Sequence, residues 1–288
     1  MYRWFPDGIT NICYNCIDRH VQYGDGDKTA LIYDSGYLGI SEKWTYNDLL
    51  ERVGRFANVL KKKFSIQKGD RVLLYMPMIP VSVFAMLACA RIGAIHSVVF
   101  GGFAAKELAN RIDDCKPKVI ITASCGLEPG KVIPYRPIVD EAFQYCEQVK
   151  SSEVKRILIQ RKDKHEEKGQ DKKLYFDYDD LMADEKDICP CEFVESTHPL
   201  YILYTSGTTG APKGTVRDTG GTAVGLSYIM DIVFDIQKGD TYFAASDIGW
   251  VVGHSFIVYG PLLRGAQTVL FEGKPTVPNV GVLWRVVA

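Results

Sequence analysis

Phe64-Ser-Ile-Gln-Lys-Gly-Asp70 returns almost letter for letter as Phe234-Asp-Ile-Gln-Lys-Gly-Asp240. A second pair of stretches follows in the same order, Gly93-Ala-Ile-His-Ser-Val-Val-Phe-Gly101 and Gly265-Ala-Gln-Thr-Val-Leu-Phe-Glu-Gly273. One matched turn can arise by chance, but two in register argue for duplication. Each copy reads as helix, Lys-Gly-Asp turn, strand, helix, Gly-Ala turn, strand. The fold class is therefore α/β, with two related α/β subdomains and largely parallel sheets.

Working outward, strand-like apolar runs fall at Ala30–Tyr33, Arg71–Met76, Ile95–Phe100, Lys118–Ala123, Arg156–Gln160, Leu200–Tyr204, Thr241–Ala245 and Gln267–Phe271. Helical periodicity lies between many of them, at Tyr46–Phe64, Ala104–Asp114 and Ile138–Val149. Thr45 and Asp48 form an N-terminal cap signal for the first of these helices. Val81–Phe100 is the only stretch long enough to suggest a membrane span, but Arg91, Gly93 and His96 interrupt it. It reads as a buried helix turning into a buried strand. The expected domains are 1–160, a first α/β subdomain; 161–187, a charged solvated connector; and 188–288, a second subdomain. The first copy continues with a helix and a strand after Phe100, whereas the second reaches Ala288 inside the matching helix. The second subdomain is thus expected to be truncated, with an unpaired sheet edge.

With 288 residues, 47% hydrophobic, the chain has enough apolar side chains for a substantial core. A net charge of −1 gives no electrostatic case for nucleic acid or an acidic membrane as main partner. Eight cysteines are spread through the chain without a secretory leader at its start, which favours a reducing compartment. Cys13-x-x-Cys16 and Cys189-x-Cys191 lack a second pair of zinc spacing, so they read as buried or incidental thiols, with no metal site assigned.

The densest chemistry follows the strand at 200–204. Thr205, Ser206, Gly207, Thr208, Thr209 and Gly210 lead through Ala211-Pro212 to Lys213-Gly214. Glycines let backbone N–H groups converge on phosphate oxygens, hydroxyls add neutral donors, and Lys213 adds a positive charge. That set suits a polyphosphate leaving group. A P-loop of the Gly-x4-Gly-Lys-Ser/Thr type is excluded, because Pro212 precedes Lys213 and Gly214 follows it. A second cluster is Ser246-Asp-Ile-Gly-Trp-Val-Val-Gly-His-Ser255, where Trp250, Val251 and Val252 offer an apolar wall. His254 reads as a satisfied, partly buried histidine and Asp247 as a turn residue. The loops at Phe100-Gly-Gly-Phe103 and Ser124–Lys131 follow strands, where α/β proteins bind ligands.

These motifs resemble the adenylate-forming superfamily, in its short-chain acyl-CoA synthetase branch. The resemblance runs the length of the chain, through Cys13-Tyr-Asn-Cys16, Asp18-Arg-His20, Tyr75-Met-Pro-Met-Ile-Pro80, Met86–Phe103, the phosphate loop and Gly249–Ser255. Glu128-Pro-Gly-Lys131, Val216-Arg217 and Val251-Val252 are similar to the propionate–CoA ligase side of the branch. The resemblance implies an AMP-forming acid–thiol ligase that uses Mg2+-ATP, coenzyme A and a short-chain carboxylate: propionate, with acetate or butyrate as alternatives. It implies ATP phosphates at Thr205 to Gly210 and Lys213, with Lys213 as charge stabiliser and no other catalytic residue assigned. The acyl pocket would lie at Trp250, Val251 and Val252. Coenzyme A would meet Gly102, Glu128, Pro129, Gly130, Lys131, Val252 and Thr276, although Glu128 stands where the family pattern has a basic residue. The implied compartment is the mitochondrial matrix, with the cytoplasm as alternative. The adenine loop, ribose aspartate and lid lysine of the family find no counterpart among these residues. The chain is accordingly expected to be an inactive fragment, or alternatively a non-catalytic nucleotide-binding or interfering isoform.

Overall fold

The computed structural model describes residues 5–168, 171, 173–205 and 212–288. In chain order the strands and helices are β1 (Ile9–Thr10), β2 (Thr29–Ser35), β3 (Ile40–Thr45), α1 (Tyr46–Phe64), β4 (Arg71–Met76), α2 (Pro80–Arg91), β5 (Ile95–Phe100) and α3 (Ala105–Cys115). They continue with β6 (Val119–Ala123), β7 (Cys125–Glu128), β8 (Lys131–Pro134), α4 (Tyr135–Tyr145), β9 (Lys155–Ile159), β10 (Tyr175–Asp177), α5 (Tyr178–Asp184) and β11 (Val194–Glu195). The last third holds β12 (Pro199–Thr205), β13 (Lys213–Asp218), α6 (Thr219–Ile232), β14 (Thr241–Phe243), α7 (Val251–Gly253), α8 (Gly260–Arg264), β15 (Gln267–Glu272) and α9 (Val282–Val287). A π-helical stretch, His254–Tyr259, joins α7 to α8.

Local chemistry explains the framing helices. Thr45 accepts a bond from the Asp48 N–H at 3.1 Å, and Asp48 accepts one from the Thr45 N–H at 2.7 Å, a reciprocal cap at the start of α1. Leu49, Val53, Phe56, Ala57 and Leu60 form its buried stripe, while Lys61, Lys62 and Lys63 sit in its last turn, where the helix dipole favours cations. Pro80 opens α2, which is apolar nearly all round and correspondingly buried. The span-like stretch of the sequence is therefore α2 and β5, and no helix among the described residues is long and apolar enough to cross a membrane.

The principal sheet has seven strands in the order β10-β9-β6-β4-β5-β12-β13, all parallel except β13. The second has four, β14-β15-β2-β3, with only β3 antiparallel. The protein is thus α/β with a mostly parallel main sheet. The sheets do not follow the expected cut between 1–160 and 188–288. β2 and β3 from the first segment complete the second sheet, whereas β12 and β13 from the second segment extend the first. Backbone pairing decides this, since β15 and β5 each need a partner on their open side. The charged stretch 161–187 also does more than connect. It supplies β10 at the sheet edge, and α5, whose Tyr178 ring meets Phe56 of α1 edge-on at 5.1 Å.

The duplication survives atom by atom. Gly69 and Gly239 have φ of 86° and 91°, and their N–H groups donate to Gly93 and Gly265 carbonyls at 2.8 and 2.9 Å. The Gln67 and Gln237 N–H groups donate to Asp70 and Asp240 carboxylates, each at 2.8 Å. Both turns feed a parallel pair, β4 with β5 and β14 with β15.

Candidate active site

The strand order creates a crevice. From β4 the chain crosses through α2 to β5 on one side, and from β5 it crosses back through α3 to β6 on the other. Right-handed crossovers in opposite directions put α2 and α3 on opposite faces, so the loops after β4 and β5 part at their carboxyl ends. Such a switch point is where α/β proteins receive ligands. Here it holds a cavity of about 130 Å³ lined by Met76, Pro77 and Met78 after β4, and by Phe100, Gly101 and Gly102 after β5. The β7–β8 hairpin adds Leu127, Glu128 and Ile133, the turn after β2 adds Tyr37, and the end of β15 and the loop beyond it add Glu272 and Lys274. A neighbouring hollow of about 190 Å³ shares Met78, Phe100, Asp247 and Gly273 with it.

Close packing keeps this crevice open where it matters. A Cβ on Gly101 or Gly126 would overlap the Tyr135 hydroxyl, and one on Gly253 would overlap the Asp247 carbonyl. Asp247 faces both hollows; its carboxylate accepts the Gly249 N–H at 2.7 Å and its carbonyl accepts that of Trp250 at 3.1 Å. It is thus the turn residue that positions Trp250. Burial nevertheless raises its pKa to about 6, with the Gly249 bond opposing.

Trp250, Val251 and Val252 stand at the start of α7, all substantially exposed. The indole lies 5.8 Å from the Phe100 ring and 6.3 Å from Phe103. Arg111 of α3 then places its guanidinium 4.7 Å over Phe103 and 5.5 Å over Tyr204. The Tyr204 hydroxyl donates to Asp114 at 2.5 Å. A continuous line of ring contacts therefore runs from the apolar wall at α7 to the end of β12.

Thr205 ends β12 and pairs in register with Lys213, the first residue of β13, and both are exposed. The loop predicted to hold phosphate is thus the connection of an antiparallel hairpin at one edge of the main sheet. Its Ser206, Gly207, Thr208, Thr209 and Gly210 lie outside the described residues. Of the residues expected at coenzyme A, Gly102 and Glu128 line the crevice. Pro129 and Gly130 make the β7–β8 turn, with Gly130 at φ 70°, and Lys131 projects exposed from β8. Thr276 is exposed in the turn just beyond Lys274 and Pro275. Glu128 forms an ion pair with Lys274, so the acidic residue that departs from the family pattern meets a cation from the loop after β15.

Sequence reasoning did not find Tyr37, Tyr135, Glu272 or Lys274, each of which lines the crevice. Glu272 is also the centre of a buried network: Arg161 grips it through two bonds of 2.7 and 3.0 Å, and Tyr33 and Ser35 donate at 2.6 and 3.0 Å. A Glu before Gly273 in the second echo was visible, but its partners come from distant segments. His254 is fully buried rather than partly so, and its Nε2 has no partner among the described residues.

A model of the AMP-binding enzyme family matches residues 18–288. The chain is 51% identical over 287 residues to the acyl-CoA synthetase short-chain family member 3, mitochondrial, of Homo sapiens, covering 99% of this chain and 41% of that protein. It is 50% identical over 290 residues to the protein of the same name in Rattus norvegicus, again 99% of this chain and 41% of the other. Acetyl-coenzyme A synthetase of Methylobacterium radiotolerans is 46% identical over 288 residues, 99% of this chain and 43% of that protein. The chain spans about two fifths of the length of these relatives.

Proposed function

The chain belongs to the AMP-binding enzyme family, and from that premise we propose that it forms the phosphate- and coenzyme A-facing part of an AMP-forming short-chain acyl-CoA synthetase. In the proposed reaction a carboxylate oxygen attacks the α-phosphorus of Mg2+-ATP, the bond to the β-phosphate breaks, and pyrophosphate leaves. The thiol of coenzyme A then attacks the acyl carbon, loses its proton, and expels AMP. Thr205 and Lys213, with the loop they flank, would meet the β- and γ-phosphates, where a fixed cation lowers the cost of the departing charge. Trp250, Val251 and Val252 would wall the acyl chain. Gly102, the hairpin Glu128 to Lys131, Val252 and Thr276 would border coenzyme A, with Lys131 facing its 3′-phosphate. The compartment proposed is the mitochondrion, as in the names of two of the relatives.

The observation that carries this reading is the ring line from Trp250 through Phe103 and Arg111 to Tyr204, which ties the apolar wall to the strand entering the phosphate loop. The preference for propionate rests on Val252, since a second valine leaves the wall wholly apolar. Titration with non-hydrolysable propionyl- and acetyl-adenylate analogues tests it. One methylene in an apolar pocket is worth about 1–3 kcal/mol, so the propionyl analogue is expected to bind on the order of 10-fold tighter. Val252→Thr should narrow that ratio. Equal affinities would overturn the propionate preference, and no binding of either would overturn the reading as a whole.

A further inference from the structure

The two cysteine motifs do not pair internally; they meet each other. Cys13, at the head of the N-terminal helical stretch, and Cys191, in the strap before β11, bring their sulfurs and an Asp18 carboxylate oxygen within 4.8 Å of one another. Cys13 is fully buried, whereas Cys191 is only partly buried and keeps some contact with solvent. The backbone around both is already fastened. The Asn11 side-chain amide donates to the Glu192 carbonyl at 2.7 Å and to Ala90 and Arg91 carbonyls at 3.0 and 3.1 Å. The Glu192 N–H donates to the Arg91 carbonyl at 2.7 Å, and the Cys189 N–H to Gly54 at 3.0 Å. The two sulfurs are thus held near each other by segments whose backbones are fastened on both sides.

Arg91 decides between the two chemistries open to such a cluster. Its guanidinium grips both oxygens of Asp18, at 2.7 and 2.8 Å, and lies 3.7 Å from the Cys13 sulfur. A divalent cation would have to displace that fixed positive charge and take a carboxylate that is already paired. Chemistry between the two thiols, by contrast, leaves that ion pair intact.

We propose that Cys13 and Cys191 form a reversible dithiol–disulfide site, oxidised by hydrogen peroxide or a small organic hydroperoxide. The Cys191 sulfur attacks a peroxide oxygen, the O–O bond breaks, and the leaving hydroxide takes up the thiol proton as water. Cys13 then attacks the sulfenic sulfur of Cys191, an S–S bond replaces the S–O bond, and a second water leaves with the Cys13 proton. Two thiols are oxidised and one peroxide is reduced. The hydrogen bond shared with Cys13, and then burial, hold the Cys191 thiol far above its usual pKa, so the pair rests as a dithiol and its oxidation is slow. The bond would tie the strap that leads into β12, and so toward the phosphate loop, to the N-terminal segment. This site is independent of the acyl-CoA reading.

The 288-residue chain, treated with hydrogen peroxide and then capped with an alkylating reagent, gives the test by peptide mapping. The expected product is a linked peptide pair holding Cys13 and Cys191, with those two lost from the alkylated pool and regained after dithiothreitol. Cys191→Ser, its folding checked by circular dichroism, should give no linked pair and no peroxide-induced rise in melting temperature. Recovery of Cys191 as sulfinic or sulfonic acid with Cys13 still alkylatable would overturn the proposal. So would a link between other cysteines, or zinc(II) that survives gel filtration and shields both thiols.

Discussion

His96 and His254 stack 5.3 Å apart in a buried cluster with Tyr201 and Tyr259. His96 shares a 2.6 Å hydrogen bond with the Tyr259 hydroxyl, yet its Nδ1 and the Nε2 of His254 find no partner among the described residues. Burial drives both pKa values down, that of His254 to about 4, and His254 lowers His96 further. The unfolded chain takes up protons as pH falls past 6.5, while the folded His254 stays neutral until about 4. The His254 contribution is therefore held above pH 6.5 and lost across the window from 6.5 to 4, by about 1.4 kcal/mol per pH unit, and His96 acts in the same direction. Asp247, raised from 3.8 to about 6, works in the opposite sense from about pH 6 downward and so offsets about one histidine's loss over most of that window. His254→Leu should flatten the pH dependence of the urea midpoint, even if it lowers the midpoint at neutral pH; an unchanged slope would refute the assignment. None of this was legible in sequence. The motif displayed His254 but not the distant ring from β5 that meets it.

At the scale of elements, those with a buried face announced themselves. α1 spans the predicted Tyr46–Phe64 with the predicted cap, and β4 and β5 match residue for residue. Removing the cap hydroxyl with Thr45→Ala is expected to cost about 1 kcal/mol, read as a lower denaturant midpoint with unchanged slope. No loss of stability would mean that the Asp48 carboxylate alone secures the first turn. The elements that sequence missed lack such a face. β3, Ile40-Ser-Glu-Lys-Trp-Thr45, is exposed over its first four residues, and β13, Lys213-Gly-Thr-Val-Arg-Asp218, over its first five. Both are edge strands, defined by backbone pairing that leaves little trace in side-chain pattern. α6 was missed because Gly220, Gly221 and Gly225 mask its periodicity.

Across the whole molecule, the two sheets are riveted through Arg161 beyond β9 and Glu272 at the end of β15, each almost fully buried. Glu272→Ala would strand the arginine in the interior and should cost about 3–5 kcal/mol in equilibrium unfolding. Glu272→Gln, which still accepts hydrogen bonds, should cost less; equal costs would show that charge rather than bonding holds the joint. The sequence could reveal the duplication but not this joint, because the strands exchanged between sheets are distant along the chain. The duplication also makes the chain its own two-line alignment. The repeated turn keeps one unmatched position, Ser65 against Asp235, and both adopt φ near 50°, so geometry is inherited there while identity is free. Its lysine stays the same, yet Lys68 reaches Glu195 of β11 and Lys238 reaches Asp25 ahead of β2. Neither carboxylate belongs to the turn. The repeated turn thus carries the same mooring line in both copies, and each copy ties it to whatever acidic post its surroundings supply.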